Sequence, residues 1–359
     1  MSKPLVLAVN PGSTSTKIAV FDIHSDKLFQ KNIKHSAEDL APFSTITEQY
    51  EFRKNIILKE LKDGGILIDD ISIIVGRGGL VKPIPSGMYE VNDILKADLR
   101  TGVLGQHASN LGGLIADDIA HSIQGAKAFI ADPVVVDEMS DLARISGHPE
   151  FQRVSIFHAL NQKAIAKTHS KAQGKDYKEL NLIVAHLGGG ISVGAHQKGM
   201  VIDVNQALDG EGPFSPERSG TLPVGALAKM CFSGKYTHDQ IKKMITGLGG
   251  LVAYLDTNDA LEVENRVKAG DEKARLIYEA MAYQISKEIG ACAVVLKGKV
   301  DGILITGGVA YDKMFVEWIK ERVAFIAPVF VYPGEDEMQA LAFNGICFLK
   351  GEAEVKLYS

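Results

Sequence analysis

Twice in this chain a short apolar run ends in a polar residue, breaks at a turn of small residues, and resumes as a second apolar run. Residues 5–22 read L-V-L-A-V-N, then P-G-S-T-S-T, then K-I-A-V-F-D. Residues 182–203 read L-I-V-A-H, L-G-G-G, I-S-V-G-A-H, Q-K-G and M-V-I-D. Each is the grammar of strand, glycine turn, strand. They begin about half a chain apart, which indicates an internal duplication with each half opening on a hairpin sheet. Further strands are expected at 71–75, 128–131 and 301–306, and helices at 110–122, 159–170 and 312–323. Asp271 is placed to cap a long helix whose stripe Ile277, Met281, Ile285, Ile289, Cys292 and Leu296 is spaced near four. The recurring order predicts an α/β fold of two domains with mixed sheets. The first should comprise 1–152 plus a C-terminal helix within about 338–359, and the second 153–337.

Composition matters mainly through glycine, 36 of 359 residues, about 10% against a usual ~7%. With only 12 prolines and 46% apolar residues, the chain is globular and not low-complexity. A formal charge of -5 leaves no electrostatic footprint for duplex nucleic acid. Cys231, Cys292 and Cys347 lie far apart in apolar surroundings without C-x-x-C, so they read as small buried hydrophobes. The apolar run 5–9 is too short for a signal peptide, and no run approaches the ~20 residues of a membrane span. A cytoplasmic protein is expected.

Glycine turns after strands let several backbone N–H groups converge on an anion with no Cβ in the way. Three candidates occur: residues 12–16, Gly188-Gly189-Gly190, and Gly307-Gly308. Alanine at Gly189 or Gly307 should therefore harm nucleotide use more than folding. There is no G-x-x-x-x-G-K-[ST], G-x-G-x-x-G or kinase catalytic loop. One G-x-S-x-G is present at 190–194, but a strand and not a helix is expected after Ser192, which argues against a hydrolase elbow. Arg77, Asp132 and His186 stand at or just after predicted strand ends, Arg218 in a turn-rich loop and His158 at a helix start. Ligands of open α/β sheets bind at such ends. Two arginines, two histidines, a carboxylate and three anion turns describe phosphoryl transfer. No base pairs with a nucleophile, which suits an acceptor already ionised at neutral pH, such as a carboxylate.

Seven segments, N-P-G-S-T-S-T-K (10–17), V-G-R-G-G (75–79), A-D-P-V-V-V-D-E-M (131–139), F-H-A-L-N (157–161), A-H-L-G-G-G-I-S-V (185–193), E-G-P-F-S-P-E-R-S-G (211–220) and G-E-D-E-M-Q-A-L-A (334–342), carry a resemblance over essentially the whole length. The chain resembles the acetokinase family, and within it the butyrate kinases, in the superfamily that also holds sugar kinases, Hsp70 and actin. The resemblance implies two duplicated ribonuclease H-like domains around a central ATP cleft, and ATP-dependent, Mg²⁺-assisted phosphorylation of a short carboxylate. It implies Arg77 holding the substrate carboxylate and Arg218 and His158 on the γ-phosphate, with Asp132 completing that network. Asn10 would lie near metal and phosphates, with Ser13 and Lys17 at the first phosphate turn. His186, Gly188, Gly189 and Gly190 would form the second phosphate turn, and Gly307, Gly308, Val309 and Ala310 the adenosine side. Glu337, with Asp336 close behind, would approach Mg²⁺. A homo-oligomer is implied.

Alternatives are an acetate, propionate or branched-chain carboxylate kinase, or an actin- or Hsp70-like ATP-binding module, for which a carboxylate-binding arginine would have no use. Acetate kinases have a bulkier apolar residue where this chain has Gly79, so Gly79 is expected to leave room for a longer acyl tail.

Overall fold

The computed structural model describes residues 4–359. One unit runs up to Val136 and takes back Asp336–Ser359; the other is Asp137–Glu335. These divisions precede the expected ones near 152 and 337. Residues 137–152 belong with the second unit because they are bonded to it: Ser140 N donates to the Ile202 carbonyl at 2.9 Å, and Arg153 Nη1 to the Ala143 carbonyl at 2.9 Å.

The first unit holds β1 (Leu5–Pro11), β2 (Ser15–Phe21), β3 (Lys27–Lys34), β4 (Ile71–Arg77), β5 (Met88–Glu90), β6 (Lys127–Ala131) and a terminal strand Val355–Lys356. Their order is terminal strand, β5, β6, β4, β1, β2, β3. β1–β2–β3 is an antiparallel meander, and β4 and β6 continue it in parallel. Helices cover both faces of the centre, so β1 is buried at every position and reads as an unbroken apolar run. Leu111, Leu114 and Ile115 of the helix Asn110–His121 pack with Leu7 and Ile74 on one face. A Cβ on Gly345, in the helix Glu337–Leu349, would fall against Val6, Ile73 and Val75 on the other.

The second unit holds β7 (Asn181–Leu187), β8 (Ile191–Gln197), β9 (Met200–Val204), β10 (Gly302–Gly307) and β11 (Val329–Pro333), in the order β11, β10, β7, β8, β9. Again three strands form an antiparallel meander and two continue it in parallel. The order β3-β2-β1-β4-β6 thus recurs as β9-β8-β7-β10-β11, and the duplication expected from the two hairpins is present. Asp271 caps the helix Glu272–Val295 through the Ala274 N–H, and all six residues of its expected stripe join the core over Ile183, Ala185 and Ile305. Ala166 of the helix Ala159–Ala172 packs with Leu182, Val184 and Leu304 on the opposite face.

Several elements carry no strong local signal and were not anticipated, among them the helices Tyr50–Asp63 and Val224–Cys231. Cys292 is buried as expected, but Cys347 is half-buried and Cys231 exposed, at the end of a helix with no buried residue. No helix among the described residues is long and apolar enough to cross a membrane.

Candidate active site

In the first unit the expected residues gather at the carboxyl ends of adjacent strands. Asn10 lies near the end of β1 and Arg77 ends β4. Glu337 opens the helix Glu337–Leu349. Arg77 Nη1 lies 2.8 Å from Glu337 Oε1 and 3.3 Å from Asn10 Oδ1, and Asn10 Nδ2 donates to Glu337 Oε2. Lys17 sits directly across the ladder from Asn10 and so shares its face. Asp336 is occupied elsewhere. It caps the same helix through the Gln339 N–H at 2.9 Å and pairs with Lys27 at 3.2 Å. Asp132 follows β6 with φ +37°, a backbone region that side chains disfavour, and accepts from Gly87 N at 2.7 Å.

Arg77 is positioned by close packing beneath it. A Cβ on Gly76 would come within 2.2 Å of the Gly112 carbonyl, and one on Gly112 within 2.4 Å of the Arg77 carbonyl. The glycine pair lets helix and strand touch backbone to backbone. Gly79 plays a different part from the one expected. Its missing side chain leaves no space, because a Cβ there would lie 2.4 Å from Asn110 Oδ1 and 2.8 Å from Leu99 Cδ2. Asn110 itself accepts from Leu80 N at 2.8 Å and shapes the loop after Arg77. Gly79 therefore opens no room for a longer acyl tail, contrary to expectation.

Arg53 was not anticipated. It is fully buried in the helix Tyr50–Asp63, on the stripe it shares with Ile57 and Leu61. Its Nη1 donates to the carbonyls of Gly12 at 2.8 Å and Ser15 at 3.1 Å, and its Nη2 to that of Ser13 at 3.1 Å. Burial pushes its pKa down to about 10. Arg53 thus ties down the first turn, which carries Ser13. Ile57 and Leu61, four and eight residues on, share its stripe, but that spacing does not separate a buried arginine from a solvated one.

In the second unit His186 lies on β7 ahead of the turn Gly188–Gly190, and Gly307 ends the neighbouring β10 and starts the 3-10 turn Gly308–Tyr311. Gly307, at φ +96°, lies against the Leu187 backbone, so the two turns adjoin. His158 stacks on His186, with centroids 4.0 Å apart and planes at 20°. His186 Nε2 lies 3.3 Å from Glu335 Oε2, a partner the sequence reading missed. Ser192 of the G-x-S-x-G stretch is buried inside β8 and bonded to His158 Nδ1 at 2.8 Å, with no elbow.

Arg218 reaches into the turn. A Cβ on Gly190 would lie 2.0 Å from Arg218 Nη1. Nη1 donates to the Ala207 carbonyl at 2.5 Å, while the buried Nε has no hydrogen-bond partner. Burial lowers its pKa, and among the described residues it forms no ion pair within 4 Å. A half-buried guanidinium whose buried Nε has no partner is a fitting receptor for a phosphate group. Gly249 and Gly250, whose role was open, hold its loop: a Cβ on Gly250 would fall 1.7 Å from the Ser215 carbonyl.

A family model described as the acetokinase family matches residues 152–325. Butyrate kinase 2 of Clostridium acetobutylicum is 57% identical over 98% of this chain and 99% of its own length. This chain belongs to the acetokinase family. Butyrate kinase 1 of the same organism is 54% identical over the same shares. The acetate kinase of Porphyromonas gingivalis, at 21% identity, shares the fold with a TM-score of 0.79 over 96% of this chain and 100% of its own. As an acetokinase, the chain is a phosphotransferase with a carboxyl group as acceptor, using ATP and ADP, as its motifs led us to expect.

Proposed function

We propose that this acetokinase converts ATP and butyrate to ADP and butyryl phosphate, reversibly and by direct in-line transfer. The supporting observation is the pair of arginines in different settings. Arg77 is held at a strand end by Glu337 and Asn10, and Arg218 is half-buried with its Nε unpartnered. The first suits a carboxylate and the second a transferring phosphoryl group, whereas a module that only hydrolyses ATP needs no carboxylate-binding arginine. The butyrate kinases of C. acetobutylicum, aligned over nearly the whole chain, support the choice of acid.

A carboxylic acid of this type is ionised at neutral pH, so its oxygen attacks the γ-phosphorus without a base. One O–P bond forms as the bond to the β-phosphate oxygen breaks, and ADP leaves with the electron pair. Arg77 orients the carboxylate. Arg218 and His158 spread the charge that develops on the phosphoryl oxygens. Asn10, Ser13, Lys17 and the turns at Gly188-Gly189-Gly190 and Gly307-Gly308-Val309-Ala310 bind the phosphates and nucleotide.

Magnesium takes one or two carboxylates when phosphates and water supply the rest. The Glu337 carboxylate, held by Asn10 and Arg77, fits that need, and Asp336 is already engaged as a cap. The ion would neutralise phosphate charge there. The test is an ATP-plus-acid assay trapping acyl phosphate as hydroxamate, across acids of two to six carbons. Butyrate should give the highest kcat/KM. No product with any acid would overturn the kinase reading, and equal rates with all acids would overturn butyrate.

A further inference from the structure

The second unit contains a continuous hydrogen-bonded chain that ends on His158, and the direction of every proton in it can be worked out. It starts from Gln162, whose Nε2 lies 3.1 Å from the backbone carbonyl of Ser192. A carbonyl only accepts, so the nitrogen end of the amide must face it. The amide oxygen therefore faces His196 Nε2, 2.9 Å away, which must carry a proton. His196 is fully buried, and burial together with the positive charge of Lys163 pushes its pKa well below the usual histidine range. It is neutral and has one ring proton only, so its Nδ1 accepts from the Tyr177 hydroxyl at 2.6 Å.

The other branch leads to His158. The same Gln162 Nε2 donates to Ser192 Oγ at 2.8 Å, and the His158 backbone N–H approaches that oxygen at 3.5 Å. Ser192 Oγ thus receives protons from two sides. Its own proton is left for the remaining neighbour, His158 Nδ1, at 2.8 Å. Ser192 is completely buried, so no solvent competes for that proton. A neutral ring also suits the stack on His186, where two imidazolium ions 4.0 Å apart would repel.

We propose that Tyr177, His196, Gln162 and Ser192 form a proton-orienting relay that holds His158 as the Nε2–H tautomer, so that it meets the phosphoryl group as a neutral hydrogen-bond donor and not as a base. The phosphoryl contact rests on the role assigned to His158 above; the tautomer does not. Ser192 and Gln162 are positioning residues, acting through His158.

Histidine-selective 15N labelling of the full-length protein, with long-range 1H–15N correlation, reads which ring nitrogen carries the proton. His158 is identified by the signal lost in His158→Asn. The wild type should show Nε2–H with a bare Nδ1 at neutral pH, and Ser192→Ala should give a mixture of tautomers. In the same variant kcat should fall about tenfold, the scale of one weakened hydrogen bond to a charged group, with KM for the acid within about twofold. A proton on Nδ1 in the wild type, or an unchanged Nε2–H state in Ser192→Ala, would overturn the relay. Undiminished acyl phosphate formation by His158→Asn would instead remove His158 from the reaction while leaving the tautomer result standing.

Discussion

Two adjacent glycines of the second turn should respond in opposite ways to the same added methyl group. At Gly189 a new Cβ would meet only the Glu217 carboxylate, at an ordinary 3.7 Å or more. At Gly190 it would lie 2.0 Å from Arg218 Nη1 and 2.6 Å from Arg218 Cζ. Neither glycine has positive φ, so backbone strain does not separate them. Restoring a normal contact in Gly190→Ala requires the guanidinium to retreat by about 1.4 Å, given the usual spacing near 3.4 Å. That movement strips Nη1 from the Ala207 carbonyl. A misplacement on the order of 1 Å at a reacting centre costs about 10²-fold in rate, or roughly 2.7 kcal/mol of transition-state stabilisation. Gly190→Ala should therefore lower kcat for hydroxamate-trapped acyl phosphate about 10²-fold, while Gly189→Ala stays within about threefold. Thermal melting should show both variants folded. Equal losses in the two variants, or near-normal turnover in Gly190→Ala, would refute the placement of Arg218 at the transferring group. The pair also revises the expectation for Gly189, and Gly307 is a poor probe because a Cβ there strikes the Leu187 backbone.

Arg53→Met should remove three hydrogen bonds donated to turn carbonyls and destabilise the first unit by about 3 kcal/mol, at roughly 1 kcal/mol per bond. An unchanged urea midpoint would count against the tie. Glu337→Gln should raise the Mg²⁺ concentration for half-maximal activity about tenfold, whereas Asp336→Asn should leave it within about twofold; the reverse pattern would exchange their roles. Burial depresses the proton affinity of His35, His107, His169 and His196. The unfolded chain, with histidines near pKa ~6.5, takes up protons first as pH falls, so stability should drop from about pH 6.5 downward. Urea midpoints at pH 7.5 and 5.5 measure this drop, and a flat profile would show that these rings are not neutral in the fold.

Local pattern carried what depends on neighbours in the chain. The two hairpins, the Asp271 cap, the long stripe over 277–296 and the polar residues at strand ends follow from periodicities of two and near four and from turn chemistry, and the structure shows them there. The family and its chemistry were legible for the same reason, since the motifs are short and contiguous. Arg53, Asn110, Gln162 and Glu335 were not legible. Each matters through a partner from 30 to 174 residues away, and nothing local distinguishes a buried arginine on a helix from a solvated one.

The glycines divide in the same way. Sequence by itself determined that the chain is duplicated and that backbone closes tightly around two hairpin turns. Tertiary structure alone decided which glycine serves what: Gly76 and Gly112 for helix–strand contact, Gly190 for a guanidinium, Gly79 for Asn110. It also decided between Glu337 and Asp336, one turned to Asn10 and Arg77 and the other spent on a helix end. A missing side chain and a carboxylate are identical in any sequence. What they do is set by the atoms that packing brings within a few ångströms.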